Sequence, residues 1–232
     1  MFLDRILTDR LRLDRHAAGR RARRTRARRR RRSETIADEC THLNWAPHET
    51  PKESAHPNWA PHETPKESAD VLQSFRDGWT GRENAVYAVY PRAGEDGAGK
   101  YAGNTGLRVD WEHRTGTLGI WLREPFWGRG YSGERARALA AFAFERLDLD
   151  VLAVTAIPEN ERSIRAITKY VDAMGGREEG TIRNGLADAD GEVHDVRWFS
   201  VTREEYVAAA DGEREIEFGD AVEFAADTRT DG

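Results

Sequence analysis

Hydrophobic positions along this chain recur with the two periods that build folded proteins. Leu11 and Leu13 alternate with Arg10, Arg12 and Asp14, the two-residue period of a half-buried strand. A long stretch without apolar period follows. Then Val71 or Leu72, Phe75 and Trp79 fall on one helical face, behind the start signal Thr64-Pro65-Lys66-Glu67, a capping box with Pro at the first helical position. Ala85–Tyr90 reads as a strand and Pro91–Gly99 as a glycine-rich turn. Tyr101–Trp111 predicts a second strand, His113–Gly116 a turn, and Thr117–Leu122 a third strand with Leu118, Ile120 and Leu122 on one face. Ala136, Leu139, Ala140, Ala143 and Leu147 predict a helix over Glu134–Leu147. Val151–Ile157 is continuously apolar, the pattern of a buried central strand. Ile164, Ile167, Val171 and Met174 predict a helix over Asn160–Met174, and two more strands are expected at Arg177–Arg183 and Val193–Thr202. Residues 207–232 are acidic and weakly apolar, and a frayed tail is expected there. The order predicts an α/β fold with a mixed sheet flanked by helices.

Composition divides the chain in two. Residues 1–40 hold 14 Lys+Arg and 6 Asp+Glu, a net of +8; the rest holds 22 and 35, a net of −13. Four of those 22 are lysines: Lys52, Lys66, Lys100 and Lys169. An acidic, lysine-poor surface is the composition of proteins from salt-loving archaea, where screening tolerates crowded carboxylates. It argues against general nucleic-acid binding by the body of the chain. No apolar run approaches the roughly 18 residues that cross a bilayer, and no secretory signal opens the sequence, so a cytoplasmic protein is expected. The single cysteine, Cys40, excludes a disulfide framework and a cysteine-based metal cluster; no metal site is expected.

Residues 16–57 are anomalous. Arg20–Arg32 has ten arginines in thirteen positions, directly after a good strand. A nucleic-acid arm and a solvated charge run are two readings; a shifted reading frame in a GC-rich gene is the one favoured here. Asn44–Ala55, NWAPHETPKESA, is repeated identically at Asn58–Ala69. Two twelve-residue copies do not make a solenoid. The first copy runs into His56-Pro57, which stops a helix, so the second is the working copy and the first a loop. The same duplication accounts for His48 and His62 without a metal site. The expected organisation is a first strand in 1–15, the anomalous segment 16–57, the domain body 58–206 and an acidic tail 207–232.

The chemistry concentrates at Trp127-Gly128-Arg129-Gly130-Tyr131-Ser132-Gly133-Glu134, between a predicted strand and a predicted helix. Glycines there let a ligand approach the backbone, and the free amides of a helix start favour an anion such as a pyrophosphate. The segment lacks the Gly-Lys-Ser/Thr of a Walker loop and the spacing of a dinucleotide fingerprint. A packing turn is the alternative. After the central strand, Pro158-Glu159-Asn160-Glu161-Arg162-Ser163 opens the next helix.

Those two units, 30 positions apart from Gly130 to Asn160, resemble the GNAT family of N-acetyltransferases, and within it the RimJ/RimL type that acetylates ribosomal-protein amino termini. The resemblance covers about Ile6–Arg15 and Asn58–Tyr206. It implies that acetyl-CoA is the acetyl donor, that the strands before and after the loop splay apart, and that the pantetheine arm lies between them. It implies that the amides of Gly128, Arg129, Gly130, Tyr131, Ser132 and Gly133 hold the pyrophosphate, with added charge from Arg129. Backbone groups of Trp121 and Leu122 would meet the pantetheine, Asn160 would hydrogen-bond it, and Ser163 would sit near the sulfur as the catalytic hydroxyl. Asn160 and Ser163 also suit an N-cap and a first-turn hydroxyl. An aromatic at Trp127 is usual for the RimJ/RimL type. The tyrosine that many members carry seven residues after the asparagine is replaced by Ile167, and the helix through Lys169–Gly176 is longer than the family's.

The implied reaction is direct attack of an amine on the thioester, with backbone donors on the oxyanion and a carboxylate or water taking the proton. Glu112, Glu124, Glu159 and Asp195 are candidate bases, each also readable as a surface charge, as are His113 and His194. The acceptor is expected to be cationic: a peptide amino terminus, a polyamine or an aminoglycoside. A homodimer fits the resemblance. The competing readings are a CoA-binding paralogue without turnover and a nucleic-acid-binding protein using the arginine run.

Overall fold

A computed structural model describes residues 2–16, 65–187, 191–209 and 217–219 of the chain. Its strands are β1 (Arg5–Leu7), β2 (Leu11–Arg15), β3 (Asn84–Pro91), β4 (Gly103–Asp110), β5 (Thr115–Leu122), β6 (Val151–Ala156), β7 (Arg177–Ala187), β8 (Val193–Thr202) and β9 (Glu217–Gly219). The helices are α1 (Pro65–Gly81), α2 (Tyr131–Ala141), α3 (Glu161–Asp172) and α4 (Arg203–Ala208). The strands form one sheet in the order β7-β8-β6-β5-β4-β3-β2-β1-β9. Adjacent strands run antiparallel except β5 and β6, which are parallel. A parallel pair needs a crossover, and α2 supplies it. The expected mixed α/β architecture is the one observed.

The apolar run of β6 is explained by its place between β5 and β8, with helices on its flank: Leu152, Ala153 and Val154 are all buried. The main core joins Leu13, Tyr87, Val89, Leu107, Leu118, Val154 and Phe199 of the sheet to Leu139 and Phe142 of the α2 segment and Ile164, Ile167 and Val171 of α3. A second, smaller cluster forms from Leu72, Ala88 and Tyr101, with Phe75, Tyr90 and Trp121 packed on it. The helical face expected at residues 72, 75 and 79 is thus divided, because Trp79 joins the main core against Phe2 and Tyr87.

Three elements depart from the periodicity. The N-terminal strand is a hairpin, with β1 turned onto β2 through Thr8–Arg10. The helix expected from Glu134 starts at Tyr131, and its last turn widens into a π turn over Phe142–Arg146. The tail begins with α4, closed by a reciprocal Thr202–Glu205 capping box, and Glu217–Gly219 pairs with β1 as β9 instead of fraying. A three-residue strand is too short to show a period. The arginine run, both repeat copies up to Thr64 and the Thr64 cap lie outside the described residues.

Gly103 fixes where β4 meets the end of β5. Its φ is +149°, and a Cβ there would lie 2.1 Å from the Trp121 carbonyl oxygen. No other residue permits that approach.

Candidate active site

Strands β5 and β6 pair over four residues and then part. Thr115–Leu118 lies in register with Val151–Val154, and the ladder ends there. On its other side β5 stays paired with β4 as far as Leu122 opposite Gly103, and β6 stays paired with β8 as far as Ala156 opposite Arg197. The carboxyl ends of two neighbouring parallel strands therefore face each other without ladder bonds. Main-chain amides and carbonyls in such a gap need partners. An extended ligand carrying amides of its own is one that can supply them. Trp121 and Leu122 lie on this unzipped part of β5.

The chain leaves β5 through a single 3-10 turn, Glu124–Phe126, and reaches the glycine-rich bend. Gly128 and Gly130 have φ of +72° and +79°. Gly130 is the N-cap of α2, in the left-handed region and with no side-chain cap. The first amides of a helix have no preceding turn to bond to, so Tyr131 and Ser132 present theirs toward the bend. Gly133 differs: its N–H donates to the Gly130 carbonyl at 3.1 Å. A Cβ on Gly128 would meet nothing within 4 Å, so the bend is open at that position.

Two neighbouring turns brace it. The buried Glu134 carboxylate accepts from Thr8 Oγ1 at 2.5 Å, from the Arg10 amide at 2.9 Å and from Arg10 Nε at 2.7 Å. Arg10 in turn donates from Nη1 to the Arg129 carbonyl at 3.0 Å and comes within 3.4 Å of where a Gly130 side chain would begin. From the β3–β4 loop, Glu95 accepts from Tyr131 Oη at 2.6 Å, and Asp96 binds the Arg129 guanidinium at 2.9 Å. Arg129 thus points its charge at Asp96 and stacks on Phe126, and Arg10 brings a second guanidinium to the bend. Nothing in the sequence pattern singled out Arg10, because its partner lies 124 residues away.

Asn160 caps α3. Its Oδ1 accepts from the Ser163 amide at 3.1 Å, and its Nδ2 donates to Ser163 Oγ at 2.7 Å. Ser163 Oγ is an acceptor in that bond, which leaves its own proton to be directed elsewhere. Beside them Trp127 spans the mouth of the gap. Its Nε1 donates to the Leu122 carbonyl at 2.6 Å, and the Arg162 guanidinium lies 4.3 Å from its ring centre. The Leu122 carbonyl is therefore engaged by Trp127 in this state. Ile167 is buried in the main core. Tyr170, three residues on, is buried against the fully buried Arg135, whose Nη2 lies 3.5 Å from its hydroxyl. Burial lowers the Arg135 pKa and raises that of Tyr170.

The candidate bases scatter. Glu112 and His113 sit in the exposed β4–β5 turn, at the opposite end of β5 from Leu122, with His113 on Asp110. Asp195 is exposed and accepts from the Asn184 amide. Glu124 and Glu159 lie near the gap on exposed positions, and His194 is half-buried on β8.

A polar cluster that the sequence did not reveal lies beside Trp121. Asn104 is the cross-strand partner of Trp121 and is buried. Its Oδ1 lies 2.9 Å from His16 Nε2. The His16 ring packs 5.4 Å from Phe75, centre to centre. Burial, with the Arg76 charge in support and the Asn104 bond opposing, lowers the His16 pKa to about 4. Asn104 Nδ2 and Tyr101 Oη are both buried, and the Asn104 amide lies close enough to the Tyr101 hydroxyl to oppose part of the rise that burial gives its pKa.

A family model described as an acetyltransferase (GNAT) domain matches residues 32–170, which is 139 of 232. The chain belongs to the GNAT acetyltransferase family. The GNAT match starts at Arg32, inside the stretch read as anomalous. The Bacillus subtilis (strain 168) protein named "Putative ribosomal N-acetyltransferase YdaF" is 34% identical over 98 residues, which are 42% of this chain and 51% of the relative, so the match spans about half the relative's length. RimL, the ribosomal L7/L12 alpha-N-protein acetyltransferase in its apo form, superposes with a TM-score of 0.63 at 14% identity, covering 87% of this chain and 96% of its own. Spermidine N-acetyltransferase from Vibrio cholerae, solved with CoA and spermine, gives 0.51 at 16% identity over 64% and 81%. At such identities the superpositions establish the GNAT fold.

Proposed function

We propose that this GNAT protein transfers the acetyl group of acetyl-CoA to the α-amino group of a protein amino terminus, a ribosomal protein being the kind of acceptor its curated relative's name suggests. The observation that carries the reading is the parting of β5 and β6 beyond Leu118 and Val154 next to an open, glycine-lined helix start. The gap suits the pantetheine, and the amides of Gly128, Arg129, Gly130, Tyr131 and Ser132 suit its pyrophosphate. Trp127 would have to release the Leu122 carbonyl for that oxygen to meet the pantetheine. Asn160 holds Ser163 with its proton free, as the donor to a departing thiolate requires.

The acceptor side favours a peptide over a polyamine. Tyr101 Oη is a buried donor with the Asn104 amide beside it, so its proton is available to an acceptor. A peptide terminus carries a carbonyl oxygen beside its amine; a polyamine carries none. The acidic composition suits work in concentrated salt, and a cytoplasmic site of action follows from a ribosomal acceptor. Among the described residues no helix is long and apolar enough to cross a membrane. The test is mass spectrometry of a synthetic peptide with a free serine amino terminus, incubated with protein and acetyl-CoA in molar KCl, with spermidine in parallel. Acetyl-peptide is the expected product. Acetyl-spermidine alone would refute the acceptor assignment, and absence of acetyl-CoA binding would refute the whole reading.

A further inference from the structure

Acetyl transfer leaves the amine's proton in need of a destination, and the carboxylates the sequence suggested are exposed or engaged elsewhere. We infer that His16, held by Asn104, is the base that takes this proton, through Nδ1. The inference rests on the acetyl-transfer reading.

Geometry assigns the nitrogen. Asn104 Oδ1 is an acceptor, so the ring nitrogen at 2.9 Å, Nε2, carries the hydrogen of the neutral imidazole. Nδ1 then holds the lone pair. Location assigns the task. Asn104 stands directly across from Trp121, and residues so paired lie about 4.5–5.5 Å apart at Cα. Trp121 is on the unzipped part of β5, so Asn104 and one interstrand spacing separate the imidazole from the strand that borders the gap. Phe75, which packs on the ring, belongs to the same apolar cluster as Tyr101, Tyr90 and Trp121.

The charges around the ring keep it neutral at rest. Arg76 of α1 faces it. Tyr101 precedes β4, and its hydroxyl is kept protonated by burial. Tyr90 of β3 lies under the Arg12 guanidinium. On its own strand, Asp14 is taken by Arg5 and Arg12. No carboxylate among the described residues pairs with His16, so the resting ring is neutral and its Nδ1 lone pair is unprotonated.

The step balances as follows. The amine nitrogen lone pair forms the N–C bond to the thioester carbonyl carbon. His16 Nδ1 takes the proton that nitrogen sheds. The C–S pair leaves with sulfur, which takes the Ser163 hydroxyl proton, and solvent restores both side chains.

His16→Ala and His16→Gln are compared with wild type on the serine-terminated peptide, with acetyl-CoA binding followed by calorimetry. Loss of a general base predicts a fall in kcat of about 10²–10⁴-fold, with KM for acetyl-CoA unchanged. Added imidazole should restore turnover in His16→Ala, whose vacated site can admit it. Wild-type-like kcat in either variant, or a loss that imidazole does not relieve while acetyl-CoA still binds, overturns the inference. If His16→Ala no longer binds acetyl-CoA, it has lost its fold, and the kcat of His16→Gln decides. Failure of wild type to bind acetyl-CoA removes the acetyl-transfer reading and, with it, this one.

Discussion

Glu134 places a carboxylate in the first turn of a helix whose start is open to an anion. Alone it would compete for that site; bonded to Thr8 and to the main chain and guanidinium of Arg10, it is neutralised and the amides stay available. The same bonds tie the β1–β2 turn to α2. Glu134→Gln keeps the shape and removes the charge, leaving Arg10 without its counter-charge. A stability loss of about 1–3 kcal/mol is expected, read as a lower urea midpoint by circular dichroism. His16 works in the opposite sense, as a side chain that burial keeps uncharged. Its pKa falls from an ordinary 6.5 to about 4 on folding, so between those values the unfolded chain binds more protons. Stability should therefore decline as pH drops from 6.5 toward 4, and His16→Gln should flatten that decline. Urea midpoints of both proteins at pH 7 and pH 5 check the sign: equal slopes would show that the ring is not buried in its neutral form.

Asn160 opens α3 and, in the proposed reading, also contacts the substrate; at the scale of an element the two roles separate. Asn160→Asp keeps an oxygen that caps the Ser163 amide but loses the Nδ2 donor. Asn160→Ala loses both and should cost about 1 kcal/mol. If capping were the whole role, the aspartate variant would acetylate like wild type; the expectation is near-normal thermal stability with reduced turnover. The cap was legible in the sequence because its signal is local, a Pro-Glu-Asn step before an amphipathic run. So were β3, β5, β6 and β8, whose apolar patterns span six residues or more. The π turn at Phe142–Arg146, the paired strands Arg5–Leu7 and Glu217–Gly219, and the Arg10–Glu134 brace were not, because distant partners define them. Half of the candidate site was readable for the same reason. The bend at Trp127–Gly133 announces itself by its glycines. The His16–Asn104 pair unites residues 88 positions apart, and neither residue is unusual in its own segment.

Across the whole molecule, the donor side lies mainly downstream of the duplicated segment, with Thr8 and Arg10 bracing it, while the acceptor cluster straddles that segment. The gap, the bend and the Asn160 cap lie within residues 103–163, downstream of the duplicated segment. The acceptor cluster uses His16, just before residues 17–64, and Phe75 of α1, just after them. A change in the connecting segment should therefore reach the acceptor and spare the donor. Removing residues 44–57 leaves one copy of the repeat, with its helix start signal intact, joined to the preceding sequence. Two of the excised residues are His56 and Pro57, the pair that interrupts the first copy. The shortened chain should bind acetyl-CoA as the full chain does, by calorimetry at the same salt. Its kcat/KM for the serine-terminated peptide should rise, because a shorter connection costs less entropy to bring His16 and α1 together. A parallel fall in acetyl-CoA affinity would mean that the segment reaches the bend itself, and the separation of donor and acceptor sides would not hold.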